Sequence, residues 1–490
     1  MRSFKQSYRN MAMKMALVLP FVIFICSLLQ IRAETDYCYA DNPTPYRYFS
    51  RKTPYLISRG PQILDLENCE PVYLWALIRH GTTYPDIYLT NSMKQLSLLR
   101  DKIILNNKNK RGYLCEKDFK NLENWSFNFT WGEDHKLTAQ GVNDQVFLAE
   151  LIINAFPKLF ESPKRESFKF QSSAYNSTKE SAIVFSNELF ETNYNTTAES
   201  NIEENDELLR LNKHCPKYLT DVEGNLSLHK ETELFQKSDF MKSIIANVSL
   251  RLGFSDQLSF DEIYLMYETC AYENAANTNS NPPFCAVFST KELKVLEYIN
   301  DMNEYYSRGY GNQLASHLGC IVIRDMLTSL INASQDVEGI NKGKFLFTQS
   351  DVLLPATVKL GLHKEKERLG HNNYKKLIKR RKWRLSIFDS FAANIIAALY
   401  KCPGQNGTHQ NSVVIHQNER PVVYPMQCTG HHCTLEGLKT IFRDVLDENL
   451  CSMEFCYNFE TQNAGVGAIF LHFSAFSVLT FVCIIVNLFY

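Results

Sequence analysis

The chain has 490 residues, 45% of them hydrophobic, enough to bury one large or two ordinary globular cores. Its formal net charge is −1 and its pI about 6.9, so no bulk field points to nucleic acid as a partner. No internal repeat or long low-complexity tract interrupts it.

In chain order, Arg2, Lys5, Arg9 and Lys14 precede the apolar run Met15–Leu29, and a small residue, Ala33, follows at a plausible cleavage point. That is the layout of a secretory signal peptide over 1–33, with an uncleaved signal anchor as the alternative. Strand-like runs are expected at Val72–Ile78, Phe168–Ser172, Lys344–Thr348 and Ser412–His416, followed by Arg420–Val423. Between the second and third runs lies a long helical pattern. There Leu293, Leu296, Ile299 and Met302 recur every three residues and form one apolar stripe suited to a core. Lys375, Lys376, Lys379, Arg380, Arg381, Lys382 and Arg384 make a basic run, either a solvated helix face or a rim that attracts a polyanion. Phe388–Cys402 is expected to be another apolar helix. Strands separated by helical segments suggest an α/β core carrying a helical insertion.

The tail from Gly465 to Tyr490 has no charged residue and is long enough to span a bilayer. No Lys or Arg follows it, and Asn463, Ala464 and Gly465 are small enough for a GPI attachment site. GPI anchorage is therefore preferred to a short transmembrane anchor. Asn-X-Ser/Thr sequons at Asn124, Asn128, Asn176, Asn195, Asn225, Asn247, Asn332 and Asn406 suit a glycosylated luminal or surface protein. Fourteen cysteines include Cys26 in the signal and Cys483 in the tail, which leaves an even twelve for disulfides. Cys428, His431, His432 and Cys433 imitate a zinc site, but ligand pairs so close together do not easily surround one tetrahedral ion. A small disulfide loop is the preferred reading.

The run Val72–Ile78 ends in Arg79, His80 and Gly81. A neutral histidine held in line can attack phosphorus and form a phosphohistidine, with a nearby acid protonating the leaving oxygen. The charge on the phosphoryl oxygens must then be met by preplaced cations. Around this triplet, "NCEPVYLWALIRHGTTYP" resembles the phosphate-binding segment of histidine acid phosphatases, R-H-G-x-R-x-P, and in particular the multiple inositol polyphosphate phosphatases. "HKLTAQG" (His135–Gly141), "YYSRGYG" (Tyr305–Gly311), "FDSFAANIIAALYKC" and "NERPV" (Asn418–Val422) extend the resemblance through most of the mature chain.

The resemblance implies an α/β core sheet flanked by helices, with an inserted, mostly helical cap. The phosphatase-like domain would run over 34–460, its core over about 60–200 and 340–460, its cap over about 200–340, and the anchor over 464–490. It also implies a Cys69–Cys402 disulfide, no cofactor, and inositol polyphosphates or other phosphomonoesters as ligands. Among the family's site residues, the first Arg and the nucleophilic His correspond to Arg79 and His80. Thr83 replaces the second Arg of the signature, and in "SSAYNSTKESA" (Ser172–Ala182) Asn176 stands where a further Arg is expected. In "QSDVLLP" (Gln349–Pro355) Gln349 replaces a second His, and Asp351 stands for the acid. Three phosphate-holding groups are thus lost, and activity is expected to be weak or absent. An inactive anion- or partner-binding glycoprotein is the alternative. Asn176 also opens a sequon, so a glycan there would block the pocket, unless the local alignment slips or folding hides the site.

Overall fold

The apolar run after Cys69 becomes the middle of a sheet. A computed structural model describes residues 38, 47–127, 135–161, 165–190, 202–335, 341–404, 408–424, 428 and 430–457. Its strands are β1 (Glu70–Arg79), β2 (Phe168–Ser172), β3 (Ile202–Glu204), β4 (Gly343–Thr348), β5 (Asn394–Pro403), β6 (His409–Gln417), β7 (Arg420–Pro421) and β8 (Cys433–Thr434). They form one sheet in the order β3-β2-β4-β1-β5-β6-β7, with β8 paired to β6. β1, β2, β3 and β4 run parallel, whereas β5 is antiparallel to both β1 and β6.

Side chains alternate across β1, and each face finds its own helical layer. Leu74, Ala76 and Ile78 pack with Leu148 and Ile152 of the helix Ala139–Ala155 and with Phe185 of the helix Asn176–Leu189. Trp75 and Leu77 pack with Leu318, Val322 and Met326 of the helix Gln313–Ala333 and with Leu353 of the helix Ser350–Lys359. A sheet covered on both faces explains why the strand shows no polar alternation in sequence.

The same physics corrects one expectation. Most of the run Phe388–Cys402 is not a helix, because 394–403 form β5, sandwiched between β1 and β6. Ile395, Ala397 and Leu399 join one core layer, and Ile396, Ala398 and Tyr400 join the other. A run buried on both sides lacks the period that separates strand from helix.

A third core lies among helices away from the sheet. Leu293, Leu296, Ile299 and Met302 of the helix Thr290–Ser307 are buried there with Leu96, Leu99 and Ile103 of Leu96–Lys108 and Met266 of Phe260–Ala276. Ser289 and Glu292 close a capping box at the start of Thr290–Ser307. The basic run is not one helix face, since only Tyr374–Leu377 is helical. Lys375, Lys376, Lys379, Arg380 and Lys382 are exposed, but Arg381 is buried with Glu297 at 2.9 Å and Asp301 at 2.6 Å.

All twelve cysteines outside the two termini are paired: Cys38–Cys115, Cys69–Cys402, Cys215–Cys456, Cys270–Cys285, Cys320–Cys451 and Cys428–Cys433. Cys69–Cys402 ties the start of β1 to β5, as the family resemblance implies, and Cys428–Cys433 closes a small loop in place of a metal site. Six disulfides fit a secretory or luminal protein. The signal segment 1–33, the tail 464–490 and the sequons at Asn128, Asn195 and Asn406 lie outside the described residues. Asn124, Asn176, Asn247 and Asn332 are exposed, and Asn225 is half-buried.

Candidate active site

The three central parallel strands end almost level. Arg79 stands opposite Thr348, and both Ile78 and Ser172 stand opposite Phe347. The residues that follow, His80, Ser173 and Gln349, therefore emerge together at the carboxyl edge of the sheet, where open α/β sheets place their ligands. His80 is pinned on both sides of its peptide. Its N–H donates to the Thr348 carbonyl at 3.1 Å, and its own carbonyl accepts from the Ala392 N–H at 2.9 Å.

Two glycines let the signature loop be clamped. A Cβ on Gly81 would stand 2.2 Å from the Gly141 carbonyl oxygen, and one on Gly141 would stand 2.1 Å from that of Thr82. "HKLTAQG" is thus a buttress: Thr138 caps its helix by accepting from the Gly141 N–H, and donates its hydroxyl to the Thr82 carbonyl at 3.1 Å. Asp144 holds Thr82 by its N–H at 3.0 Å and its hydroxyl at 2.7 Å. From the other side the Gly81 N–H donates to Ser181 Oγ at 3.1 Å.

His80 Nδ1 lies 2.8 Å from the Gly81 carbonyl, which can only accept, so Nδ1 carries the proton and Nε2 keeps its lone pair. Burial and the neighbouring Arg79 drive its pKa down to about 3, against the opposing pull of the Gly81 carbonyl. A neutral, oriented imidazole is the form that a nucleophile requires.

The surrounding charges are less favourable to an anion. Arg79 donates Nη1 to the carbonyls of Arg51 at 2.7 Å and Asp389 at 2.8 Å, and lies over the Phe391 ring at 5.0 Å; its Nε has no partner. Burial lowers its pKa to about 10, which leaves it charged. Arg51 pairs with Glu304 at 3.2 Å. Arg308 pairs with Glu304 at 2.6 Å and with Asp351 at 2.5 Å, and Asp351 also accepts from Asn212 at 3.3 Å. Burial pushes Glu304 upward, but Arg308 and Arg51 outweigh it and bring the carboxyl down to about 2. In Asp389 burial wins, and despite Arg79 and Arg51 its pKa rises to about 6.

The replaced positions supply no cation. Thr83 is buried and its backbone bridges to Leu137. Gln349 sits half-buried just before the helix Ser350–Lys359, its side chain making no capping bond. Asn176 is the exposed first residue of the helix Asn176–Leu189, about 7.5 Å along the axis from Ser181, which touches the signature loop. Its neighbour Ser177 is the one buried. Arg210 lies over the Tyr175 ring at 4.4 Å, beside this end of the helix, but Asp206 holds it at 2.8 Å. Arg51, Glu304, Arg308 and Asp389 escaped the sequence reading. Of these, Arg308 sits within "YYSRGYG" and Asp389 within "FDSFAANIIAALYKC", whereas Arg51 and Glu304 lie in no recognised segment.

A histidine at the end of a parallel strand, with Nε2 deprotonated and its loop buttressed by a second motif, is the arrangement that phosphohistidine chemistry would require. Residues 73–418 match the histidine phosphatase superfamily, branch 2, and the chain belongs to that family. Within it the chain is similar to multiple inositol polyphosphate phosphatase 1 of Drosophila melanogaster, 29% identical over 91% of this chain and 95% of that protein. It is also similar to the Homo sapiens protein of the same name, 28% identical over 88% and 91%. Among solved structures, the D. castellii phytase superposes with a TM-score of 0.67 at 16% identity, covering 86% of this chain and 92% of that one. The Bifidobacterium longum multiple inositol polyphosphate phosphatase in complex with inositol hexasulfate gives 0.60 at 14%, covering 83% and 98%.

Proposed function

We propose that this protein is a secretory-pathway relative of the inositol polyphosphate phosphatases whose pocket still binds phosphomonoester-type anions but hydrolyses them through His80 only feebly. One observation carries the reading: two of the site's three arginines are already paired with carboxylates. Arg51 and Arg308 share Glu304, Arg308 also holds Asp351, and Thr83, Asn176 and Gln349 add no charge. Loss of a single transition-state donor typically costs roughly 10²–10³ in rate. Three such losses do not simply add, because groups that act as a unit are non-additive. Turnover several orders of magnitude below that of an intact relative is the expected outcome. Purified full-length protein, assayed with phytate and a chromogenic phosphomonoester beside the Drosophila relative, tests this. Equal rates would refute it.

The Arg308–Asp351 pair favours a second reading, an inactive anion- or partner-binding glycoprotein, because the candidate proton donor is engaged as a counterion. No turnover with retained anion binding would select it. We further propose glycosylation at the exposed sequons and tethering through 464–490. Release from intact cells by a phosphatidylinositol-specific phospholipase would support a GPI anchor. Retention after that treatment, with release on deletion of 464–490, would support a transmembrane one.

A further inference from the structure

Three guanidiniums, of Arg51, Arg79 and Arg308, meet three carboxylates, of Glu304, Asp351 and Asp389, so this set has no net charge to offer an incoming dianion. Two of the carboxylates are committed. Glu304 is held by Arg51 and Arg308, and Asp351 by Arg308 and Asn212. Asp389 is different. It is fully buried, and its Oδ1 accepts from Ser350 Oγ at 3.0 Å, while Oδ2 is buried without a hydrogen-bond partner. Arg79 Nη1 is satisfied by the Asp389 backbone carbonyl, and the carboxylate acts on Arg79 and Arg51 through space. A buried ionised carboxylate with an unpartnered oxygen is costly, and neutralisation removes that cost.

We propose that anion binding in this pocket is coupled to proton uptake at Asp389: the bound anion takes over as counterion of Arg79 and Arg51, and the carboxylate becomes a neutral carboxyl. The proposal rests on the reading that the pocket binds anions. The proton comes from solvent and adds to Oδ2, the oxygen left unpartnered; no other bond changes. The charged and titratable groups around Asp389 are Arg79 on β1, Arg51 in the turn Ser50–Lys52, Glu304 on Thr290–Ser307, Arg308 just beyond that helix, Asp351 on Ser350–Lys359, and His80. Burial already raises the free carboxyl to about 6, and an adjacent anion raises it further. Affinity should therefore climb about tenfold per unit fall in pH above 6, and level off below it. His80, held near 3 in the free protein, does not titrate in this window before the anion binds.

The test is calorimetric titration of detergent-solubilised full-length protein with inositol hexasulfate, whose sulfate esters do not titrate, from pH 5 to 8 in buffers of differing ionisation enthalpy. The parent should take up close to one proton per anion at pH 7. Asp389→Asn keeps a side-chain oxygen for Ser350 and should take up almost none, binding about tenfold tighter than the parent at pH 7. Ser350→Ala removes the donor that favours the ionised form, and should move the onset of the pH dependence upward. Equal proton uptake in parent and Asp389→Asn, or an unmoved onset in Ser350→Ala, would overturn the coupling and leave the anion site standing. No binding by any of the proteins at any pH would overturn both.

Discussion

One helix, Thr290–Ser307, serves two arginine–carboxylate clusters of opposite character. Midway along it, Glu297 and Asp301 hold Arg381, and all three side chains are at most 1% exposed. Ser386 bonds Glu297, Ser50 bonds Asp301, and Trp383 Nε1 donates to the Asp301 carbonyl at 3.0 Å. Near its end Glu304 meets Arg51 and Arg308, whose side chains remain 34% and 22% exposed. Spacings of three and four residues put Glu297, Asp301 and Glu304 on one stripe, so the residue types are nearly the same in both places. What differs is access. The sealed cluster fastens the basic run to the helix, while the open one can exchange a protein counterion for a ligand. Burial, rather than composition, separates a structural ion cluster from a candidate site.

The largest effect should come where the comparison is sharpest in chemistry. His80→Ala is expected to abolish any hydrolysis, since the signature loop orients this imidazole with Nδ1 on the Gly81 carbonyl and Nε2 left for attack. Unchanged turnover in that variant would place the activity elsewhere.

Next in size is the sealed cluster. Arg381→Met takes the buried cation from two carboxylates, leaving Glu297 with the partly exposed Arg384 at 3.5 Å, and should cost about 3 kcal/mol in urea unfolding. The sign with pH is fixed by Asp301, whose pKa burial raises even with Arg381 present. A carboxyl raised in the folded state binds protons that the unfolded chain does not. The variant's deficit should therefore shrink as pH falls from 7 toward 4. A deficit below 1 kcal/mol would show that solvent reaches this cluster too.

Third is the restoration of lost charge. Thr83→Arg, Asn176→Arg, Gln349→His and Asp351→Glu together should raise kcat/KM for phytate by about two orders of magnitude, with each single change doing little. A folded quadruple variant no faster than the parent would mean that the carboxylates of the open cluster, not the missing cations, now limit the pocket.

These expectations also mark what the sequence could disclose. β1, β2 and β4 were legible nearly to the residue, because turn residues bound each apolar run. β5 was not, since residues such as Ile395 and Ile396 are buried on opposite faces and leave no period. Arg79 and His80 stood out through the family signature, and the segment resemblance gathered Gln349 and Asp351. Arg51 and Glu304 stayed hidden for a different reason. Nothing local distinguishes an arginine in a turn or a glutamate in a helix from a solvated surface residue. Only the fold brings them to the same strand ends.

The smallest predicted effect separates binding from chemistry at Asp351. By family pattern this residue is the proton donor; by geometry it is a counterion, 2.5 Å from Arg308 and bonded by Asn212. Asp351→Asn keeps the shape and removes the charge, leaving Arg308 with Glu304 as its remaining ion-pair partner. A unit charge about 7 Å from a ligand at an effective dielectric near 20 is worth roughly 2 kcal/mol. Partial exposure at the pocket halves that to about 1 kcal/mol, or roughly fivefold tighter binding of inositol hexasulfate at pH 7. Tighter binding with loss of residual turnover would assign Asp351 both roles. Tighter binding with turnover intact would make it a counterion alone and send the search for the donor to another carboxyl. An unchanged dissociation constant would contradict the central claim drawn from the two clusters, that carboxylates already in place set what the open one will accept.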